Sequence, residues 1–166
     1  MTILKANNTR SNRGAAAEKL TQGFLRKWQE ASPYREANRL TDTKAAGRTI
    51  KSSAADFEFF CWEDRPHHGL IEVKQTEHEY RLAKSKVTQL GRLRKRHKCG
   101  GLVFVLIYHS TLSKWRCLSA FDLFDENNFQ ASWDMRHLPL YATPGEALNE
   151  TSLKTVFSME AEEAAK

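Results

Sequence analysis

The run Leu102-Val-Phe-Val-Leu-Ile-Tyr108 is apolar on both of the faces that a strand presents. Successive strand side chains point to opposite sides, so a segment without polar alternation has to be covered from both. It is rich in β-branched and aromatic residues, which suit a strand, and it is far too short to cross a bilayer. A chain with this segment needs a sheet whose central strand lies between two covering layers.

The rest of the sequence supplies those layers. Gly14 to Glu30 carries Leu20, Phe24 and Trp28 at four-residue spacing, an apolar stripe for a helix that Asn12 caps and Pro33 ends. Thr143-Pro144 opens another helix near the C-terminus, with Leu148, Val156 and Phe157 to bury. Residues 31–53 are polar and read as loop, with one short strand around Arg48 to Lys51. From Ala54 to Trp62 the residues alternate, Ala55, Phe57, Phe59 and Cys61 on one side and Ala54, Asp56, Glu58 and Phe60 on the other. After a turn over 63–69, Gly69 to Thr76 returns as a second strand, with Ile71 and Val73 facing one way and Leu70, Glu72 and Lys74 the other.

Residues 81–97 read as a helix that buries Ala83, Val87 and Leu90 and stops at Cys99-Gly-Gly101. Trp115 to Phe121 reads as the next strand, followed by a short helical turn and an irregular stretch holding Trp133 and Pro139. The order α-β-β-α-β-β-α is that of an α/β fold, a mixed β-sheet flanked by helices. With 166 residues, one main domain is expected over 14–141, between a flexible basic N-terminus (1–13) and a C-terminal helix with an acidic tail (142–166).

Charge narrows the partners. Residues 122–166 hold nine acids and three bases, so the net +6 of the whole chain becomes +12 over residues 1–121. Residues 80–121 contain ten Lys or Arg and no acid, which points to a polyanion such as DNA. Nucleic-acid contacts are expected from Lys84, Lys86, Gln89, Arg92 and Arg96 in this segment, and from Arg13 near the N-terminus. Cys61, Cys99 and Cys117 are odd in number and widely spaced, with no CxxC and no leader-like apolar segment, so a reducing cytoplasm is expected and neither a disulfide framework nor a membrane anchor. His67 and His68, with Cys61 six residues before, lack paired ligand spacing and read as turn residues rather than zinc ligands.

The strand Gly-Leu-Ile-Glu-Val-Lys-Gln-Thr (69–76) carries the chemistry. Glu72 and Lys74 are two apart and project from one face, and Asp56 on the adjoining strand points toward them if the hairpin pairs in register. Neighbouring carboxylates repel unless a cation lies between them, and hard divalent ions favour oxygen ligands. Asp56, Glu72 and the carbonyl of Val73 are the expected ligands of Mg²⁺, with Mn²⁺ as a substitute. Lys74 would orient or activate the attacking water, or offset charge building on a phosphate.

The pattern D-(x15)-E-x-K, set on a hairpin after a helix with a glutamate, resembles the PD-(D/E)xK nuclease superfamily. More narrowly, Ser11-Asn-Arg-Gly-Ala-Ala-Ala-Glu-Lys-Leu20 is similar to the Asn-Arg-Gly opening of RecU-type Holliday-junction resolvases. The resemblance implies a restriction-endonuclease-like fold and makes 14–141 a nuclease domain. It also implies that Glu18 is the helix acid among the catalytic residues Glu18, Asp56, Glu72 and Lys74, and that Gln89 matches the glutamine of the helix after the motif. Ala55 stands where the family has proline, and Glu58 is a rival acid on the face of Asp56. The activity implied is metal-dependent hydrolysis of branched DNA, by a homodimer whose two-fold axis matches a four-way junction. Two alternatives are a nuclease of linear or single-stranded DNA, and a DNA-binding protein of this fold without catalysis.

Overall fold

The computed structural model describes residues 9–45 and 47–159. Along the chain run α1 (Thr9–Glu30), β1 (Arg35–Arg39), β2 (Thr43–Ala45), β3 (Arg48–Lys51), β4 (Phe57–Cys61), β5 (His67–Thr76) and β6 (Arg81–Ala83). After a 3₁₀ turn at Lys84–Lys86 come α2 (Leu90–Lys98), β7 (Leu102–His109), β8 (Lys114–Leu118), α3 (Ala120–Leu123), β9 (Ser132–Asp134) and α4 (Pro144–Thr151). Five strands form the main sheet in the order β1-β4-β5-β7-β8, while β2–β3 and β6–β9 are separate two-stranded ladders. β5 and β7 run parallel, from Gly69↔Leu102 to Thr76↔His109, and the other neighbours are antiparallel. A parallel pair requires a crossover, which here contains β6 and α2.

β7 is the covered strand that its composition demands. Phe104 and Leu106 are buried with residues of α1 and α4, and Val103, Val105 and Ile107 with residues of α2, α3 and β9. The expected order is followed by α1, β4, β5, α2, β7, β8 and α4. Trp28, Trp115 and Trp133 are all core residues, at most 2% exposed. Gly69 is required where β5 meets β7: a Cβ there would stand 2.3 Å from the Leu102 carbonyl oxygen and 2.6 Å from the Phe59 ring.

Several elements differ from the sequence reading. α1 begins at Thr9 and takes Asn12 into its body, so Asn12 does not cap it. Its buried stripe is Ala17, Thr21, Leu25 and Trp28, while Leu20 is 54% exposed. Thr21 tolerates burial because its hydroxyl donates to the Ala17 carbonyl at 3.1 Å. Residues 35–39, expected as loop, form the edge strand β1, whose polar sequence suits an exposed edge. β4 starts only at Phe57, so Asp56 lies just before it, and Ala55 is buried on the α2 side of the sheet, opposite Phe57. β5 begins at His67, which places both histidines in the strand.

The expected helix over 81–97 forms only from Leu90. Leu82 pairs with Trp133 in the β6–β9 ladder and both are buried, so tertiary burial overrides local propensity at 81–83. Lys84 and Lys86 therefore sit in the 3₁₀ turn and Gln89 at the N-cap of α2, off the single basic helix face that the spacing suggested. β8 ends at Leu118 because Ser119 opens α3: its N–H and hydroxyl both donate to Asp122 Oδ2, at 2.8 and 2.9 Å. Val156 and Phe157 lie beyond α4 but are buried as expected.

Candidate active site

The β4–β5 ladder runs from Cys61↔His67 to Phe57↔Ile71 and stops there. Past Ile71 the β4 side of β5 is open, and Asp56 fills the gap: its Oδ2 accepts the Val73 N–H at 2.7 Å. The N–H and C=O of one strand residue face the same neighbour, so the Val73 carbonyl is directed to the Asp56 side as well. Glu72 is only 3% exposed. Its Oε1 lies 2.5 Å from Lys74 Nζ, and its Oε2 is buried with no hydrogen-bond partner. Strand alternation thus sets Glu72 and Lys74 together, and the end of β4 brings Asp56 beside them.

Glu18 approaches from α1. Its Oε2 lies 2.6 Å from a guanidinium nitrogen of Arg39, the last residue of β1. These five groups share one electrostatic neighbourhood. Burial raises the Asp56 carboxyl above its ordinary range, with Glu18 adding to the rise, while the Val73 N–H, Lys74 and Arg39 pull it down. Burial also raises Glu72, followed by the charge of Asp56, while Lys74 lowers it and Glu18 raises it. Among the described residues no three His, Cys, Asp or Glu side chains are grouped tightly enough to hold an ion. Glu18 is tied to Arg39, and Asp56 and Glu72 lie close enough to each other and to Lys74 to act on one another's charge. Glu58 is not among them. It pairs with Leu70 and lines a different groove with Arg92 and Arg96.

Arg39 is the member of the cluster that the sequence reading missed. It sits in a polar segment without hydrophobic alternation, and only the pairing of β1 with β4 brings it near Asp56. The expected nucleic-acid contacts are dispersed. Lys84 Nζ donates to the Asn128 carbonyl at 2.7 Å and lies over the Trp133 ring. Arg92 donates to the carbonyls of Ser52 and Ser53, the latter at 2.8 Å, and so tethers the segment leading into Asp56. The stem of Arg96 packs over Gly101. Lys86 is exposed and Gln89 half-buried. The side chain of Arg13 lies outside the described residues.

No family model matches the chain, and no curated protein is similar to it in sequence. Among solved structures it is similar to Hjc, a Holliday junction resolvase from the archaeal hyperthermophile Archaeoglobus fulgidus, at 14% identity and TM-score 0.44, over 70% of this chain and 85% of that one. It is also similar to D212, a nuclease from a fusselovirus, at 15% identity and TM-score 0.46, over 95% of each chain. Likeness this loose bears no weight on the chemistry, which has to be argued from the site. No helix among the described residues is long and apolar enough to cross a membrane.

Proposed function

We propose that the chain is a divalent-cation-dependent nuclease that hydrolyses phosphodiester bonds in DNA, with branched DNA such as a four-way junction as its substrate and a homodimer as its working form. One observation carries the reading: the buried, unpartnered Oε2 of Glu72 beside Asp56 and Lys74. A carboxylate oxygen withdrawn from water with no donor is unfavourable, and a hard cation satisfies it where a hydrogen bond does not. Asp56, Glu72 and the Val73 carbonyl offer the all-oxygen set that Mg²⁺ or Mn²⁺ takes. When bound, such an ion withdraws charge from a phosphate oxygen and eases deprotonation of the attacking water.

The protein's own groups do the rest. Lys74, held by Glu72, has further N–H donors to orient the water and to offset negative charge on the phosphate at the transition state. Asp56 is fixed by the Val73 N–H, so its position does not depend on substrate. Arg39 balances Glu18 and places a second cation next to Asp56. The +12 over residues 1–121 favours a polyanionic substrate.

Cleavage of a synthetic four-way junction, a flap, a linear duplex and a single strand tests the proposal. Scission is expected with Mg²⁺ or Mn²⁺, none with chelator, and the junction should be cut in preference to a duplex of matched sequence. Equal cutting of both would remove junction selectivity but leave the nuclease. No cutting of any substrate with either ion would leave a DNA-binding protein without catalysis.

Stability gives a readout independent of activity. The folded-state pKa values of Asp56 and Glu72 are raised, so the folded protein holds these protons more tightly than the unfolded chain. Their contribution is therefore greatest below the unfolded carboxyl values of about 4 and declines as pH rises through the higher folded values. Cation binding needs both groups ionised and reverses that decline. Mg²⁺ at about 100 times its Kd should add about 2.7 kcal/mol, or roughly 5–10 °C in Tm for a chain of this length. The shift should be larger at pH 8 than at pH 5 and absent in Glu72→Gln, which without cation should melt above the native protein at pH 8. An equal Mg²⁺ response in Glu72→Gln would remove Glu72 from the ligand set.

A further inference from the structure

Between α1 and β1 runs a groove of about 410 Å³, lined along α1 by Lys19, Gln22, Gly23 and Arg26 and on the strand side by Ala37 and Arg39. Its polar lining holds three cations and no acid. Lys19 and Arg26 are both exposed, and the nearest anion to Arg26 is Glu30, in a loose pair at 3.9 Å that is open to solvent on both sides. Its lining includes Arg39, which pairs with Glu18 and acts electrostatically on Asp56, so the groove adjoins the carboxylates.

Resting on the nuclease reading, we infer that this groove holds the sugar–phosphate backbone of one DNA strand on its way into the active site. Lys19 and Arg26 contact successive phosphates there. Charge complementarity favours a polyanion, and the location favours one that continues to the catalytic carboxylates. The groove beside α2 differs in holding an acid, Glu58, along with Arg92 and Arg96, and its Arg92 is committed to the carbonyls of Ser52 and Ser53. Lys19 and Arg26 meet phosphates there, contacts that position a strand without reading its sequence.

Gly23 supplies the test. A Cβ at this position meets nothing within 4 Å, so a larger side chain fits the fold and stands in the groove. Replacing a glycine inside a helix also favours the helix, by up to about 1 kcal/mol. Affinity for a fluorescent DNA duplex and for a four-way junction is measured in chelator over a salt series, with Tm as the control on folding. Gly23→Leu is expected to weaken binding at least tenfold with Tm unchanged or raised. Gly23→Glu, which adds a carboxylate to the same wall, should do so even if the leucine variant proves insoluble. Lys19→Ala and Arg26→Ala should each weaken binding to both DNAs alike and reduce the slope of log K against log salt by about one. Native affinity in the Gly23 variants, or an unchanged salt slope in both charge variants, overturns the inference. Because binding is read in chelator, groove-dependent binding without any cleavage in Mg²⁺ would sink the nuclease reading alone, and cleavage with binding indifferent to these substitutions would sink the groove alone.

Discussion

Lys74→Ala is expected to lower DNA cleavage at saturating substrate by at least about 10²–10³-fold, the scale on which removal of a single preorganised donor to a developing anion acts. DNA affinity in chelator should stay within a few-fold of native, since Lys74 is one cation of 26 in the chain. Glu72→Gln should abolish cleavage to a similar degree by a different route, losing a ligand while keeping shape and burial. The two variants separate on stability. Removing Lys74 strands the Glu72 carboxylate, which is 3% exposed, without its 2.5 Å partner, and this destabilises the protein at pH 8. Glu72→Gln relieves a buried charge and stabilises it. A purely structural ion pair would give stability changes without this loss of cleavage in the folded variants. Lys74→Arg discriminates further: it keeps the charge but not the compact ammonium, and a group that positions a water at one point should not be rescued by it. Native-like turnover in folded Lys74→Ala would falsify the catalytic assignment.

What the sequence displays depends on how local the cause is. The β7 segment was legible because seven residues that are apolar on both faces have few other destinations, and the E-x-K pair because strand alternation is fixed geometry. The hairpin register ends at Phe57↔Ile71 and brings Asp56 to the level of Glu72, whereas the break in β4 that turns the Asp56 carboxylate onto the Val73 N–H is not marked in the sequence. The misses have non-local causes. β1 exists because β4 offers an edge to pair with and Gln29 accepts the Ala37 N–H at 2.7 Å, and neither partner is marked in the sequence around Ala37. The first turns of the expected basic helix are replaced by a strand whose partner, Trp133, lies some 50 residues downstream. The α1 stripe was misplaced because Leu20 looks more buriable than Thr21, whereas Thr21 satisfies its hydroxyl within the helix and takes the inward position. Arg39 and Arg92 show the same limit at the level of the site: a count of positive charges does not say which are already bonded to protein oxygens.

Trp28→Ala should cost about 3–5 kcal/mol, the range for a large aromatic side chain removed from a packed core. Trp28 is fully buried, its ring lies 5.3 Å from that of Phe157 and 6.3 Å from that of Phe59, and its Nε1 donates to the Val156 carbonyl at 2.9 Å. That bond ties α1 to the segment following α4 over 128 residues of sequence, and α1 carries both Glu18 and one wall of the groove. A domain whose whole stability is about 5–15 kcal/mol is left close to its limit by such a loss. Trp28→Phe separates the two contributions. It retains most of the ring contact but leaves the Val156 carbonyl without its donor, so it should cost about 1–3 kcal/mol. At a temperature where Trp28→Phe is fully folded, cleavage should be near native, whereas the deficit of Trp28→Ala should follow its unfolded fraction as temperature is raised and vanish on cooling. Urea denaturation read by circular dichroism supplies the stabilities for the comparison. A Trp28→Ala protein within about 1 kcal/mol of native would mean that α1 is not anchored by this residue, and that Glu18 is held in place by Arg39 and the other α1 contacts instead.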